Sequence, residues 1–309
     1  MVECKLCETE FKSLNALHKH LTISHKLQQK DYYNFNYPKI DLGDGSFIVY
    51  KNYEQYFSTE FNSRRTFSVW AQEKENFKEV QEYILRELTR RKNLGKISFY
   101  PSQVELKNLI LPSMNWIKRI YSGFDSYFSQ TKHLDLGQKF NYNIESVELR
   151  SGDLNLIIDS REQRPLYSKT EFTCHKLPVG DYACGGDMNC GVYIERKSLA
   201  DLAGTLTNGF DRFTREIEKA KNLGLYLVVL CDESYVSCLE YSPSNSFARK
   251  VNGHFILHQI REIMQKHDNI QFVFCSDRGR SREVLEKIFR MGALAKTVDI
   301  EYLKDGGLI

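Results

Sequence analysis

"VYIERKSLADL", residues 192–202, sets three charges, Glu195, Arg196 and Lys197, directly behind Val192, Tyr193 and Ile194, with no turn residue between them. The first three residues have the β-branched and aromatic character of a buried strand. Charged groups beside a core are costly unless they are paired or bind a metal. Alternate side chains of a strand share a face. Tyr193, Glu195 and Lys197 therefore point one way, and Val192, Ile194 and Arg196 the other. A carboxylate and an ammonium stand side by side at the strand's end, either as a structural ion pair or as part of a metal-assisted site.

The surrounding sequence alternates strand and helix. LNLIID (154–159), VYIERK (192–197), LYLVVLC (225–231) and QFVFCS (271–276) read as strands. Helices are expected over about 210–222, 254–267 and 281–291. This order implies an α/β domain with a mixed or mainly parallel central sheet. Two more acids hold comparable places: Asp159 ends the first strand, and Asp181 lies in Leu177-Pro178-Val179-Gly180-Asp181-Tyr182. Hard oxygen ligands from separate segments, converging beside a lysine, suit magnesium-assisted phosphodiester hydrolysis. Lys197 would hold the nucleophile or stabilise the developing phosphorane charge.

Taken together, Ile158-Asp159-Ser160-Arg161-Glu162, Gly180-Asp181-Tyr182 and Glu195-Arg196-Lys197-Ser198-Leu199-Ala200-Asp201 resemble the XPF-type nuclease family. Its signature is Gly-Asp, a spacer, Glu-Arg-Lys, three residues, then Asp. The resemblance covers about residues 150–295 and implies a restriction-endonuclease-like fold that cuts DNA with Mg2+ or Mn2+. By this resemblance Asp181 and Glu195 are the principal metal ligands, with Asp159 and Glu162 as supporting acids. Lys197 is catalytic, and Arg161, Arg196 and Asp201 complete the site. Asp201 also lies where it would cap the helix of Leu202 to Leu206. Many relatives place arginine directly after Asn-Gly, whereas Phe210 and Asp211 intervene here; Arg212 is still a candidate phosphate contact. Relatives often continue into tandem helix-hairpin-helix modules. Only KTVDIEYLKDGGLI follows the last expected helix, so branched-substrate preference and the usual homodimer through the nuclease domain are open.

The first residues stand apart. Cys4-x2-Cys7-x12-His20-x4-His25 has the spacing of a tetrahedral zinc site. With Phe11 and Leu17 at its two hydrophobic positions, the segment resembles a Cys2His2 zinc finger, whose folding free energy comes from the metal. In that family helix side chains enter the major groove, which favours Ser13, Asn15, Ala16 and His18 as DNA contacts.

Between these ends, residues 29–71 form a connector or small module of unassigned chemistry. A helix is expected over about 72–92, with Phe77, Val80, Ile84 and Leu88 on one stripe. Its basic end (Arg86, Arg90, Arg91, Lys92) is explained in part by the helix dipole. Pro101-Ser102, Pro112-Ser113 and Gly123-Phe124-Asp125-Ser126 each start a short helix. This grammar resembles the homing-endonuclease-associated repeat, which makes Asn115, Lys118 and Arg119 candidate DNA contacts. An ordinary helical connector is the alternative.

The balance of 43 Lys and Arg against 40 Asp and Glu gives a net charge of only +3. Clusters such as Arg64-Arg65, Lys118-Arg119 and Arg278-Gly279-Arg280-Ser281-Arg282 suit either a nucleic-acid surface or solvated faces. No run of 18 apolar residues and no signal-peptide pattern is present, so an intracellular chain with reduced thiols is expected. Cys184 and Cys190 flank a Gly-rich hairpin near His175, and both a second zinc site and separate loop thiols fit.

The expected architecture is multidomain. A zinc finger (1–28) and the connector (29–71) lead into a mainly α-helical DNA-binding region (72–140). An α/β restriction-endonuclease-like nuclease domain (150–309) follows. The expected function is a divalent-metal-dependent DNA endonuclease targeted by its N-terminal modules, of the homing or mobile-element kind. The alternative is a structure-selective repair or recombination nuclease acting on branched DNA. A DNA-binding regulator with an inactive nuclease fold is disfavoured, because Asp159, Asp181, Glu195 and Lys197 are all present.

Overall fold

Tyr226–Cys231 is buried at every position, as a strand covered on both faces must be. In the computed structural model it lies inside a six-stranded sheet of order β4-β3-β5-β6-β7-β8. These strands are β3 (Leu156–Asp159), β4 (Thr173–His175), β5 (Tyr182–Cys184), β6 (Val192–Lys197), β7 (Tyr226–Cys231) and β8 (Ile270–Phe274). A separate hairpin, β1 (Val2–Glu3) with β2 (Glu10–Phe11), opens the chain. The structure describes residues 2–37, 61, 64–73, 77–242 and 252–309. Most of the 29–71 connector lies outside the described residues, as does the Arg65 side chain.

The sheet is mixed. β6, β7 and β8 run parallel, β5 is antiparallel to both β3 and β6, and β4 is parallel to β3. Three amphipathic helices pack with it, each showing the i, i+3, i+4 burial of a half-covered helix. Phe210–Asn222 buries Phe213, Ile217 and Ala220. Gly253–Lys266 buries Ile256, Leu257, Ile260, Ile263 and Met264. Arg278–Met291, capped by Asp277, buries Val284, Leu285, Ile288 and Phe289. The four strands and three helices expected from sequence are present. The short β4 and β5 and the terminal helix Ile300–Asp305 were not foreseen, being three to six residues long.

The chain divides into two compact units, Met1–Val80 with Leu109–Leu111, and Gln81–Asn108 with Pro112–Ile309. In the first, Ser13 caps the helix Leu14–Ser24 by accepting from Ala16 N. Its core joins Cys4, Leu17 and Leu21 to Tyr32 and Tyr33 of the helix Gln29–Asn36, so the N-terminal core extends past residue 28.

The second unit contains the sheet and most of the middle helices. The helix expected over 72–92 begins at Lys78, so Phe77 precedes it, while Val80, Ile84 and Leu88 of the stripe are buried on Lys78–Asn93. Its basic end is held within the fold. Glu87, itself buried, accepts from Arg90 and Arg91, and Lys92 donates to Leu134 O. The helices Gln103–Lys107, Met114–Ile120 and Phe124–Thr131 start where Ser102, Ser113 and Gly123 cap them.

These helices join the sheet unit around a buried acid, Asp299. It accepts from Gln103 N at 2.6 Å, Tyr142 OH at 2.9 Å and Tyr302 N at 3.1 Å. Burial raises its carboxyl to about 6, against the pull of those donors. Lys107 reinforces the joint by pairing with Glu301 at 2.5 Å and Asp305 at 2.7 Å. Replacing Asp299 with alanine leaves three donors unmet and is expected to cost about 2–4 kcal/mol. Urea denaturation of the variant, beside a fragment that starts at residue 150 and so lacks Gln103 and Tyr142, should show both destabilised relative to a fragment starting at Gln81.

Candidate active site and metal centres

Gly180 decides where Asp181 goes. Its φ is +67°, and a Cβ there would sit 3.0 Å from Ile194 O, so the chain passes close to β6 only because the residue is glycine. Asp181 N then donates to Ile194 O at 2.8 Å, and Arg196 N donates back to Asp181 Oδ2 at 2.8 Å. The result is a carboxylate from the start of β5 beside the carboxylate that ends β6.

Glu195 is buried, and Lys197 Nζ lies 2.5 Å from its Oε1. Both side chains line an open cleft of 640 Å3, together with Asp181, Arg161, Glu162, Arg196, Asp201 and Arg212. Gln163, Arg164, Ala200, Gly204 and Thr205 complete the lining. Of these, only the loop residues after Glu162 carried a signal in the sequence, as the continuation of Asp159-Ser160-Arg161-Glu162.

The electrostatics are those of crowded acids. Burial, and next the charge of Glu195, push Asp181 up to about 7. Burial likewise raises Glu195, opposed by Lys197. For Lys197 burial pulls downward, but the charge and hydrogen bond of Glu195 more than offset it and the ammonium is held above its ordinary value. Two desolvated carboxylates sharing one ammonium leave negative charge uncompensated, which a divalent cation would neutralise.

Asp159 is placed differently. It lies behind the cleft, and its carboxylate accepts from Arg161 N (2.8 Å), Nε (2.6 Å) and Nη2 (2.9 Å) and from Leu177 N (2.7 Å). Burial raises its carboxyl, and those donors more than reverse the shift. The sequence groups it with the metal ligands; the structure uses it to hold Arg161 at the rim. Arg196 points to the other face of β6 from Glu195, as strand alternation requires. Its Nη1 donates to Asp232 Oδ2 at 2.6 Å, a partner that sequence reading missed. At Asp201 the helix cap is Ser198, whose Oγ accepts from Asp201 N, while the Asp201 carboxylate accepts from that hydroxyl at 2.6 Å.

The arginines of the Arg278-Gly279-Arg280-Ser281-Arg282 cluster are partly exposed, and each is engaged by a partner within the fold. Arg278 donates to Arg164 O and Pro165 O, Arg280 pairs with Glu283, and Arg282 pairs with Glu171 and Glu286.

In the first unit, Cys4, Cys7, His20 and His25 bring their ligand atoms within 4.8 Å of one another. Cys7 Sγ is 3.2 Å from His20 Nε2, Cys4 Sγ is 3.6 Å from His25 Nε2, and the two Nε2 atoms are 3.1 Å apart. A tetrahedral zinc ion with two S and two N ligands has donor–donor edges of roughly 3.3–3.8 Å, and these distances lie close enough to that range for small side-chain shifts to complete the site. Hydrogen bonds to Thr9, and further ones to the imidazoles, lower the Cys7 thiol to about 6. Among the described residues this is the one group of three or more such side chains that meet; Cys184, Cys190 and His175 form no second cluster.

Ser13 and Asn15 are exposed on the Leu14–Ser24 helix, and Ala16 is half-buried. His18 is not on that surface: it is buried, with Nε2 3.0 Å from Tyr33 OH. The second helix, invisible to the finger spacing, covers it. Asn115, Lys118 and Arg119 are exposed on one face of Met114–Ile120, opposite buried Met114, Ile117 and Ile120.

In comparison with known proteins, residues 144–288 match the ERCC4 domain family. Among solved structures it is similar to XPF from Aeropyrum pernix at 20% identity, covering 50% of this chain and 68% of that one with a TM-score of 0.32. XPF from Aeropyrum pernix in complex with DNA is similar at 18% identity, covering 44% of this chain and 63% of that one, TM-score 0.31. No curated protein matches the chain. Among the described residues no helix is long and apolar enough to cross a membrane.

The raised Asp181 carboxyl has a consequence for the metal-free protein. Its folded value, about 7, lies above the ordinary 3.8. The fold therefore favours the protonated acid, and this contribution is lost as pH rises from about 4 through 7. In chelator at pH 8, Asp181→Asn should melt at a higher temperature than the wild type, with the gap closing toward pH 4. Metal analysis of the full chain should find one zinc per protein, lost in Cys4→Ser.

Proposed function

We propose that the chain is a divalent-metal-dependent DNA endonuclease, a reading carried by buried Asp181 and Glu195 beside Lys197 in the ERCC4 domain. Asp181 and Glu195 would hold the cation, with Glu162 facing the same cleft as a supporting acid. A bound Mg2+ or Mn2+ would polarise the scissile phosphate and lower the pKa of a water. Lys197, kept protonated by Glu195, presents a fixed positive charge where the phosphorane develops its own negative charge. Arg161, Arg164 and Arg212 line the cleft and supply sequence-independent contacts to the phosphate backbone. The Cys4, Cys7, His20 and His25 cluster holds zinc and keeps the finger folded.

Targeting is proposed to come from the N-terminal half. Ser13 and Asn15 on the finger helix, and Asn115, Lys118 and Arg119 on Met114–Ile120, are exposed side chains of the kind that read base edges. This favours a homing or mobile-element nuclease. A structure-selective repair nuclease is the second reading, favoured by the arginine-lined cleft, whose Arg161, Arg164 and Arg212 suit sequence-independent phosphate contacts.

The test is cleavage of a linear DNA library beside matched forks, flaps and junctions, with Mg2+ and with chelator. Asp181→Ala and Glu195→Ala should abolish cleavage while DNA binding persists. Lys197→Ala should lose roughly a hundredfold in rate, the effect of removing one stabilising group worth about 3 kcal/mol. Near-normal turnover by either carboxylate variant in Mg2+ refutes the site. Preference for forks or flaps over every linear sequence selects the repair reading.

A further inference from the structure

Asp232 does not line the cleft, yet two arginines connect it to the wall that carries Glu162. It follows β7 directly, is buried, and its N–H donates to Lys197 O at 3.0 Å. Its Oδ2 accepts from Arg196 Nη1 at 2.6 Å and lies 3.7 Å from Arg278 Nη1. Arg196 Nη2 and Arg278 Nη2 then donate to one and the same acceptor, Arg164 O, at 3.2 and 2.9 Å. Arg278 also reaches Pro165 O at 3.2 Å. One carboxylate, two guanidinium groups and one loop carbonyl thus close a ring.

The loop so held supplies Glu162, Gln163 and Arg164 to the cleft. Glu162 Oε1 accepts from Arg164 N at 2.6 Å and lies 3.8 Å from Arg196 Nη2, so its position follows the loop. Two guanidinium groups converging on one carbonyl repel each other, and the charge of Asp232 is what lets both stay. Arg196 Nε and Asp232 Oδ1 are buried without a hydrogen-bond partner. A free Arg–Asp pair would form a two-bond fork; here the loop, not the pair, sets the geometry.

We infer that Asp232 is a positioning residue for the cation site: through Arg196 and Arg278 it clamps the 162–165 loop so that Glu162 completes the ligand field begun by Asp181 and Glu195. The inference rests on the metal-dependent nuclease reading.

The experiment uses the full chain with Asp232→Asn, Arg278→Ala and both together. Mn2+ binding without DNA is followed by electron paramagnetic resonance of the free ion, and the Mg2+ concentration for half-maximal cleavage is measured in parallel. Arg278 is half-exposed, so its truncation keeps the test open should Asp232→Asn unfold. Each single variant should weaken Mn2+ binding about tenfold or more, the usual effect of losing a residue that orients a ligand. The Mg2+ requirement should rise in step, while the rate at saturating Mg2+ stays within about threefold of wild type. The double variant should shift no further than the larger single one, because both act through one loop. Unchanged Mn2+ affinity in folded single variants, or fully additive shifts, overturns the clamp. A wild type that binds Mn2+ through Asp181 but cuts no DNA overturns the nuclease reading, and the affinities alone then decide the clamp.

Discussion

The close approach of Gly180 to β6 is the constraint from which the site follows. Without a side chain at Gly180, backbone hydrogen bonds fix Asp181 against Ile194 and Arg196, one strand-width from Glu195. Strand alternation then dictates the rest. Glu195 and Lys197 extend from one face of β6 into the cleft, and Arg196 leaves the other face for Asp232, at the end of the parallel neighbour β7, while still bordering the cleft. The Glu195–Lys197 pair and the Arg196–Asp232 pair are therefore sorted by the two-residue period of a single strand.

Several of the charge clusters among the described residues are matched within the fold. Arg90 and Arg91 are matched by Glu87, Lys107 by Glu301 and Asp305, and Arg282 by Glu171 and Glu286. These pairs tie loops and helices together and contribute little to a field that would attract a polyanion. The small net charge of +3 is consistent with that use. Where the cations lie matters more than their number: Arg161, Arg164, Lys197 and Arg212 line one cleft with Asp181, Glu195 and Glu162.

Much of this was legible in the sequence for a physical reason. Long strands and helices advertise themselves by periodicity, and Glu-Arg-Lys behind an apolar strand is a local pattern. Cys4, Cys7, His20 and His25 are likewise a spacing rule. What escaped was set by distant partners. His18 has the helical position of a surface residue, but Tyr33, fifteen residues on, buries it. Asp159 reads from sequence as a supporting acid, and its hydrogen bonds to Arg161 and Leu177 N, eighteen residues on, have no local signature. Asp232 lies thirty-six residues from Arg196 and belongs to no motif. The Arg278-Gly279-Arg280-Ser281-Arg282 run reads as a binding patch because its acceptors, backbone carbonyls above all, have no sequence signature.

Three aspartates show how one physical effect yields different roles. Asp159, Asp181 and Asp299 are all penalised by burial, yet they differ in what answers the penalty. Asp159 has a bidentate arginine and two backbone N–H donors, and is held as an ion below its ordinary range. Asp299 has three neutral donors, which soften the penalty without removing it, and it serves as a joint between the middle helices and the sheet. Asp181 has one backbone N–H donor and faces Glu195 and Glu162, whose charges add to the penalty. Its unmet demand is for positive charge, and Lys197 is already engaged by Glu195. A buried acid with few donors and acidic neighbours is destabilising in a purely structural protein. It is retained at low cost only where a cation completes it, and that is the strongest physical argument that the cleft is a metal site.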